Sequence, residues 1–383
     1  MLNTLSTIAL YILPFLGVLT VVVFIHELGH FLVGRWCGIK VDAFSIGFGP
    51  ELFAFTDRRG TRWRVAALPL GGYVKFHGDA DAASSTRDDD AIAAMPAAER
   101  AVTFAAQPIW KRAATVAAGP LANFVLAVFV FATLFAVFGR PILTPRVENV
   151  VAGSVAEAAG FQKGDVVLEI DGAPIAGFSD LQRIVSVSPQ QELTFVVDRG
   201  GKALTLKATP RLREFDTPLG KARTGQLGLE AGGKPEDWRQ ETYGPLESIG
   251  LGVQETWFVV KHTGRYIGGL VMGRESPDQL SGPAGLAQVS GEMAKIGPTA
   301  VVNLIAILSI SIGLLNLIPI PLLDGGHLLF YAVEALRGRA LNDRAQEIGF
   351  RIGLALVGAL MIFATVNDVL RIGPQVLKWM GVS

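Results

Sequence analysis

Cysteine is almost absent: Cys37 is the single one in 383 residues. That excludes an intramolecular disulfide and every multi-cysteine metal site, and leaves Cys37 an inert free thiol. Charge is scarce as well. Asp, Glu, Lys and Arg make up 18% of the chain, against about 25% in soluble proteins, while half of the residues are hydrophobic. This composition points to a membrane protein. Acidic and basic residues balance at 34 each, so the basic excess that marks nucleic-acid binding is missing. Residues 1–7 contain no Lys or Arg. Without a basic leader, and with a long apolar run that no small-residue cleavage site follows, the N-terminal stretch reads as a spanning helix and not as a signal peptide.

What the chain does have is four long apolar runs, approximately 8–34, 113–138, 299–320 and 350–370. Each suffices to cross roughly 30 Å of hydrocarbon, which takes about 20 helical residues. Basic residues set their orientation. Arg35, Lys40, Arg58, Arg59, Arg62, Arg64, Lys75, Arg87, Arg100, Lys111 and Arg112 lie between the first two runs, and Arg337, Arg339 and Arg344 between the last two. Both loops are therefore expected in the cytoplasm, with the N-terminus and the long segment 140–298 outside.

Between the spans the pattern changes. The stretch 41–78 mixes Phe, Val and Trp with Gly and Pro, and Asp57 to Gly60 reads as a hairpin turn. It predicts a β-element lying against the membrane, with a small soluble sheet as the alternative. Residues 78–100 are small, polar and acidic and predict a loop. Short β-rich runs, "VENVV", "DVVLEI", "ELTFVV" and "ALTLKA", alternate with turns at Lys163-Gly164, Asp171-Gly172 and Arg199-Gly200-Gly201, and a helix fits Ser179 to Val187. With "GSVAEAAGFQKGDVVLEIDG" this region resembles a PDZ domain, which implies capture of peptide or protein C-termini by strand addition. The groove is expected between the strand near Val147 to Val151 and the helix Ser179 to Val187; a PDZ-like spacer that binds nothing is the alternative.

The fold class expected is thus a multi-pass α-helical membrane protein with four transmembrane helices, a membrane-associated β-hairpin and one extracytoplasmic PDZ-like α+β domain. The organisation runs as a first transmembrane helix (1–40), the β-element (41–78), a cytoplasmic loop (79–112), a second transmembrane helix (113–139) and the PDZ-like domain (140–212). A linker with an amphipathic segment (213–298), a third transmembrane helix (299–327), a loop (328–349) and a fourth transmembrane helix with its tail (350–383) complete it.

The chemistry concentrates in "FIHELGH", 24–30. His26 and His30 are four apart and share one helix face, with Glu27 beside them. H-E-x-x-H is the arrangement in which two imidazoles hold zinc and the glutamate serves as general base toward water. Ionisable groups inside a spanning helix are costly unless partnered, so their presence there is itself a functional signal; histidines bonded to neighbouring helices are the bland reading. Catalytic zinc usually takes three protein ligands. "NLIPIPLLDGGH", 316–327, offers Asp324 at the end of the third span, at the depth of His26 and His30 because spans one and three run in the same direction. His327 competes with it as the third ligand. His77 reads as a solvated loop histidine, and His262 carries no assignable role.

Taken together, "HELGH", "AAGPLANF" (117–124), the PDZ-like domain, "LSGPAGLA" (280–287) and "NLIPIPLLDGG" resemble the site-2 protease family of intramembrane zinc metalloproteases, and in particular its bacterial regulator-of-sigma-E type in a form with one PDZ domain. The resemblance implies one zinc held by His26, His30 and Asp324, with Glu27 as general base. It implies that Asn316, Pro319 and Pro321 lie beside the substrate, and that the β-element around Gly71, Gly72 and Tyr73 holds it extended. It further implies a bacterial inner-membrane enzyme with periplasmic N-terminus and PDZ domain and an active site toward the cytoplasm. The substrates implied are single-span membrane proteins such as truncated anti-sigma factors and remnant signal peptides. Two rivals are a catalytically silent PDZ-bearing adaptor, for which an intact metal motif has no use, and a zinc transporter, which would spread polar groups along several spans.

Overall fold

The computed structural model describes residues 2–79, 94–217, 220–232, 237–275, 277, 281–339 and 342–379. In chain order the elements begin with α1 (Leu2–Trp36), β1 (Val41–Thr56), β2 (Arg62–Phe76), α2 (Ala97–Arg100) and α3 (Ile109–Phe138). Next come β3 (Arg140–Leu143), β4 (Val147–Val150), α4 (Val155–Ala158), β5 (Val166–Ile170), β6 (Ala173–Pro174) and α5 (Phe178–Ser186). They are followed by β7 (Leu193–Arg199), β8 (Lys202–Ala208), β9 (Arg211–Thr217), β10 (Gly220–Gln226), β11 (Leu229–Ala231) and β12 (Trp238–Glu241). The chain closes with α6 (Pro245–Val271), α7 (Pro283–Ile296), α8 (Pro298–Asn316), α9 (Asp324–Arg337) and α10 (Asp343–Trp379).

Among the described residues, four helical stretches are long and apolar enough to cross a bilayer: Ala9–Trp36, Ile109–Phe138, Pro298–Asn316 and Arg344–Arg371. At most 28% of the apolar window in any of them is buried within the protein. Their apolar side chains therefore face outward, which costs free energy in water and none in lipid. The chain is a membrane protein.

By its internal contacts the chain divides into two compact units, residues 1–133, 249–271 and 281–383, and residues 134–248 and 272–280. In the first, α1 packs along α7, α8 and β2. Where it meets α3 the backbones come so close that a Cβ on Gly29 would strike the Ala118 carbonyl, so only glycine fits. β1 and β2 form an antiparallel hairpin whose register shifts repeatedly between Val41 and Phe53. Asp57 Oδ1 accepts from the Arg59 and Thr61 N–H groups at 2.8 and 3.1 Å and closes its turn. One face packs Phe44, Val74 and Phe76 against Phe31, while Leu52, Phe53, Phe55, Leu68 and Leu70 are each more than half exposed.

The third apolar run, 299–320, is helical as far as Asn316, and Asp324 opens a separate helix. Pro319 and Pro321 have no N–H to continue α8, and proline bars helical geometry in the residue before it. Most of the predicted loop 328–349 is likewise helical, in α9 and α10. His77 also differs from expectation. Its Nδ1 lies 2.9 Å from Asp42 and its Nε2 3.0 Å from Glu99, and its side chain is largely buried between them. It ties the end of the hairpin to α2.

In the second unit, β6-β5-β7-β8 form an antiparallel sheet. Alternating residues Val167, Phe195 and Val197 bury one face under Leu181 and Val185 of α5, together with Val147, Phe161 and Leu227. Asp165 is fully buried, accepts two 2.7 Å bonds from Arg199 and one from the Gln162 N–H, and fixes the turn into β5. Burial alone would raise its carboxyl; these donors more than offset that and hold it below the ordinary carboxylate range.

The edge expected to accept a peptide is already taken. β4 pairs with β11 along Val147–Val150, and the Val147 N–H and C=O bond Asp165 and Gly164. The reason lies in the segment 213–298, predicted as a linker. It supplies β9 to β12 instead, and β11 returns to complete β4.

Candidate metal centre

The helical spacing of His26 and His30 turns both rings to one side of α1, with Nε2 atoms 3.2 Å apart. α9 begins at this point, and its first residue places Asp324 Oδ2 3.2 Å from His26 Nε2 and 3.5 Å from His30 Nε2. Among the described residues these three form the one group of His, Cys, Asp or Glu donors, all within 4.8 Å of one another, suited to a metal ion. Asp324 Oδ2 is buried and has no hydrogen bond that satisfies it, although two imidazole nitrogens surround it. A tetrahedral ion with bonds of about 2.0–2.1 Å sets its ligands about 3.3–3.4 Å apart. The observed separations bracket that value, so the donor set fits such an ion.

Neighbouring elements hold these groups in place. His30 Nδ1 lies 2.9 Å from the Thr115 carbonyl and His26 Nδ1 3.3 Å from the Asn123 amide, both on α3. Between them, Gly119 faces the His30 ring so closely that a Cβ would strike it. At the far end of α9, Glu334 takes 2.7 and 3.2 Å bonds from buried Arg112 of α3, whose Nε donates to the Gln107 carbonyl and whose guanidinium lies over Tyr331. Glu27 accepts from the backbone N–H of Val74 in β2. The donors line a cavity of about 250 Å³ that also exposes Glu27, Tyr73, Asn316, Leu322 and His327. Leu322 has φ of 109°, a conformation that costs a side-chain-bearing residue on the order of 1–3 kcal/mol; the strained turn delivers Asp324 to the histidines.

Residues 14–360 match the family described as Peptidase family M50. The chain belongs to this family. Among its relatives, a candidate zinc metalloprotease of Rhizobium meliloti (strain 1021) is 52% identical over 361 residues, covering 94% of this chain and 96% of the relative. A second protein so named, from Agrobacterium fabrum (strain C58), is 51% identical over 360 residues, covering 94% and 95%. Metalloprotease MmpA of Caulobacter vibrioides is 41% identical over 390 residues, covering 96% of each chain.

Within this M50 peptidase, the structure brings Asp324 and not His327 to the paired imidazoles; His327 lines the cavity beside Phe350. Gly72, Tyr73 and Asn316 also line it, with Asn316 Nδ2 donating to the Ile312 carbonyl. Gly71 stands against the Phe48 ring instead. Pro319 and Pro321 are not among the lining residues, and Pro321 packs its backbone on Gly326 and Gly353. Sequence reasoning missed Thr115, Gly119, Asn123 and Leu322. The one available signal was a polar Asn within the apolar run of "AAGPLANF".

Proposed function

We propose that this M50 peptidase is a zinc-dependent intramembrane endopeptidase that cleaves single-span membrane proteins within the bilayer. The observation that carries the reading is the meeting of His26 and His30, from inside a bilayer-length apolar helix, with Asp324 Oδ2, a buried carboxylate oxygen that no hydrogen bond satisfies. The metal is zinc, the one named in the relatives; His26, His30 and Asp324 would hold it, and when bound it would supply Lewis acidity and activate water for attack.

Glu27 is the general base. Its carboxylate faces the same cavity, where it accepts a proton from the attacking water and returns it to the leaving amine. A transmembrane helix is a poor substrate because its carbonyls are already hydrogen-bonded, so it must unwind locally first. β2 near Gly72 and Tyr73 lies beside Glu27 and is the element to hold the unwound backbone as an added strand. The exposed apolar side chains of the hairpin, Leu52, Phe53, Phe55, Leu68 and Leu70, support its contact with lipid. Asn316 contributes an amide at the cavity wall.

Positive loops assign the N-terminus and the unit 134–248 to the periplasm of an inner membrane and the active site to the cytoplasmic side. That unit is a PDZ-like domain for exported C-termini. With β4 occupied, its accepting strand is β11, which among the described residues pairs with β4 alone. Anti-sigma factors shortened on the outer side and remnant signal peptides are the substrate types.

The test is cleavage of a single-span substrate by reconstituted wild type and Glu27→Gln. Loss of about 10²–10⁴-fold is expected for a general base. Equal cleavage by the two proteins would refute the role of Glu27.

A further inference from the structure

The Nε2 atoms of both histidines face each other and Asp324 Oδ2. Metal binding through Nε2 requires that each ring carry its proton on Nδ1, since a ring nitrogen has either a lone pair or a hydrogen to offer. For His30 the requirement is met by the Thr115 carbonyl, which can only accept. For His26 the facing group is the Asn123 side chain, fully buried in α3.

An amide presents either of two ends, and they have opposite consequences. With Nδ2 toward the ring at 3.3 Å, Nδ1 is the acceptor, the ring proton lies on Nε2, and Asn123 Oδ1 is buried without a partner. Turning the amide over lets His26 Nδ1–H donate to Oδ1 and frees the Nε2 lone pair, and it moves the unpartnered end of the amide from Oδ1 to Nδ2. The amide stands on a fixed mount: Ser309 Oγ of α8 donates to the Asn123 carbonyl at 2.9 Å. Thr115, Gly119 and Asn123 recur every fourth residue, so one stripe of α3 faces both imidazoles.

We infer that Asn123 is a positioning residue of the metal centre, accepting a hydrogen bond from His26 Nδ1–H through Oδ1 and so selecting the tautomer that binds zinc. This rests on the metal-site reading above and adds a residue to it. α3 then does for both histidines what a single helix does in register, with a carbonyl for one ring and a side-chain oxygen for the other.

Zinc affinity of the purified full chain, measured by competition with a chromophoric chelator, tests it without reference to catalysis. Asn123→Leu removes the acceptor at similar volume and is expected to weaken zinc binding about 10- to 100-fold, the usual effect of losing such a partner. Asn123→Asp keeps an acceptor and is expected to bind zinc at least as tightly as wild type. Two results overturn the inference: wild-type affinity in Asn123→Leu, or an aspartate variant weakened as much as the leucine one, which would mark a packing role alone. Should Asn123→Leu fail to fold, Asn123→Ala takes its place with the same expected loss. His26→Ala, run in parallel, separates the two levels. If it keeps wild-type affinity, the metal site itself is misassigned; if it loses zinc while the Asn123 variants do not, only the role of Asn123 falls.

Discussion

Removing the carboxylate of Glu334 should damage this protein more than removing the arginine it holds. Arg112 and Glu334 form a two-pronged pair at 2.7 and 3.2 Å, with side chains only 5% and 16% exposed. In Glu334→Gln the guanidinium stays buried and charged, because arginine cannot shed its proton. Its remaining support is the Gln107 carbonyl and the face of Tyr331. Breaking such a pair from one side costs about 3–5 kcal/mol, and the Gln107 bond argues for the lower end, about 3 kcal/mol. In Arg112→Met the orphan is Glu334, which can take up a proton, so the cost falls to about 1–2 kcal/mol. The double variant Arg112→Met/Glu334→Leu leaves no buried charge and should return to within about 1 kcal/mol of wild type. Denaturant titration in mixed micelles across this cycle gives all the required differences. Asp324 begins the helix that Glu334 anchors, so zinc content should fall in Glu334→Gln alongside stability. A smaller cost for Glu334→Gln than for Arg112→Met, or a double variant as unstable as the sum of the two, would refute the reasoning.

Zinc analysis of Asp324→Ala beside His327→Ala should show metal lost in the first and retained in the second; loss confined to His327→Ala would reverse the assignment of the third ligand. The second unit should loosen in acid. Asp165 has a folded-state pKa below its unfolded value of about 3.9, so its contribution is present above that pH and disappears as pH falls through the folded value. Amide hydrogen exchange of residues 134–248 should lose protection on acidification, and Arg199→Leu should be less protected at neutral pH as well. Acid-insensitive protection down to pH 2 would contradict this account.

The spans were legible because an apolar run long enough for the bilayer needs no partner to declare itself. The ends of the spans were less so. Pro319 and Pro321 marked a break, yet whether Asp324 closed α8 or opened α9 depended on the turn at Leu322, whose positive φ is one that a leucine in the sequence gives no reason to expect. The meeting of His26, His30 and Asp324 was legible because metal chemistry restricts the residue types and, for the two histidines, their helical spacing. The groups that orient them, the Thr115 carbonyl and the Asn123 amide, were not: one is backbone, and the other lies 97 positions from its ring. His77 misled for a related reason, since both its partners are exposed-looking acids that only folding brings together. In the second unit the alternation of "DVVLEI" and "ELTFVV" predicted β5 and β7, whereas β11 went unseen because three residues carry no periodicity.

The crossing of α1 and α3 also limits how the centre can part. At Gly29 the second span meets backbone against backbone, and at Gly119 it meets an imidazole with no room for a methyl group. A seam without slack on either side is a poor hinge, because any parting there would pull both rings from their acceptors at once. The other wall is built differently: Asp324 follows the strained turn at Leu322, and β2 meets Glu27 of α1 through the Val74 N–H. The donors thus come from one tightly packed helix pair and one strained turn, and Glu27 shares α1 with the two imidazoles.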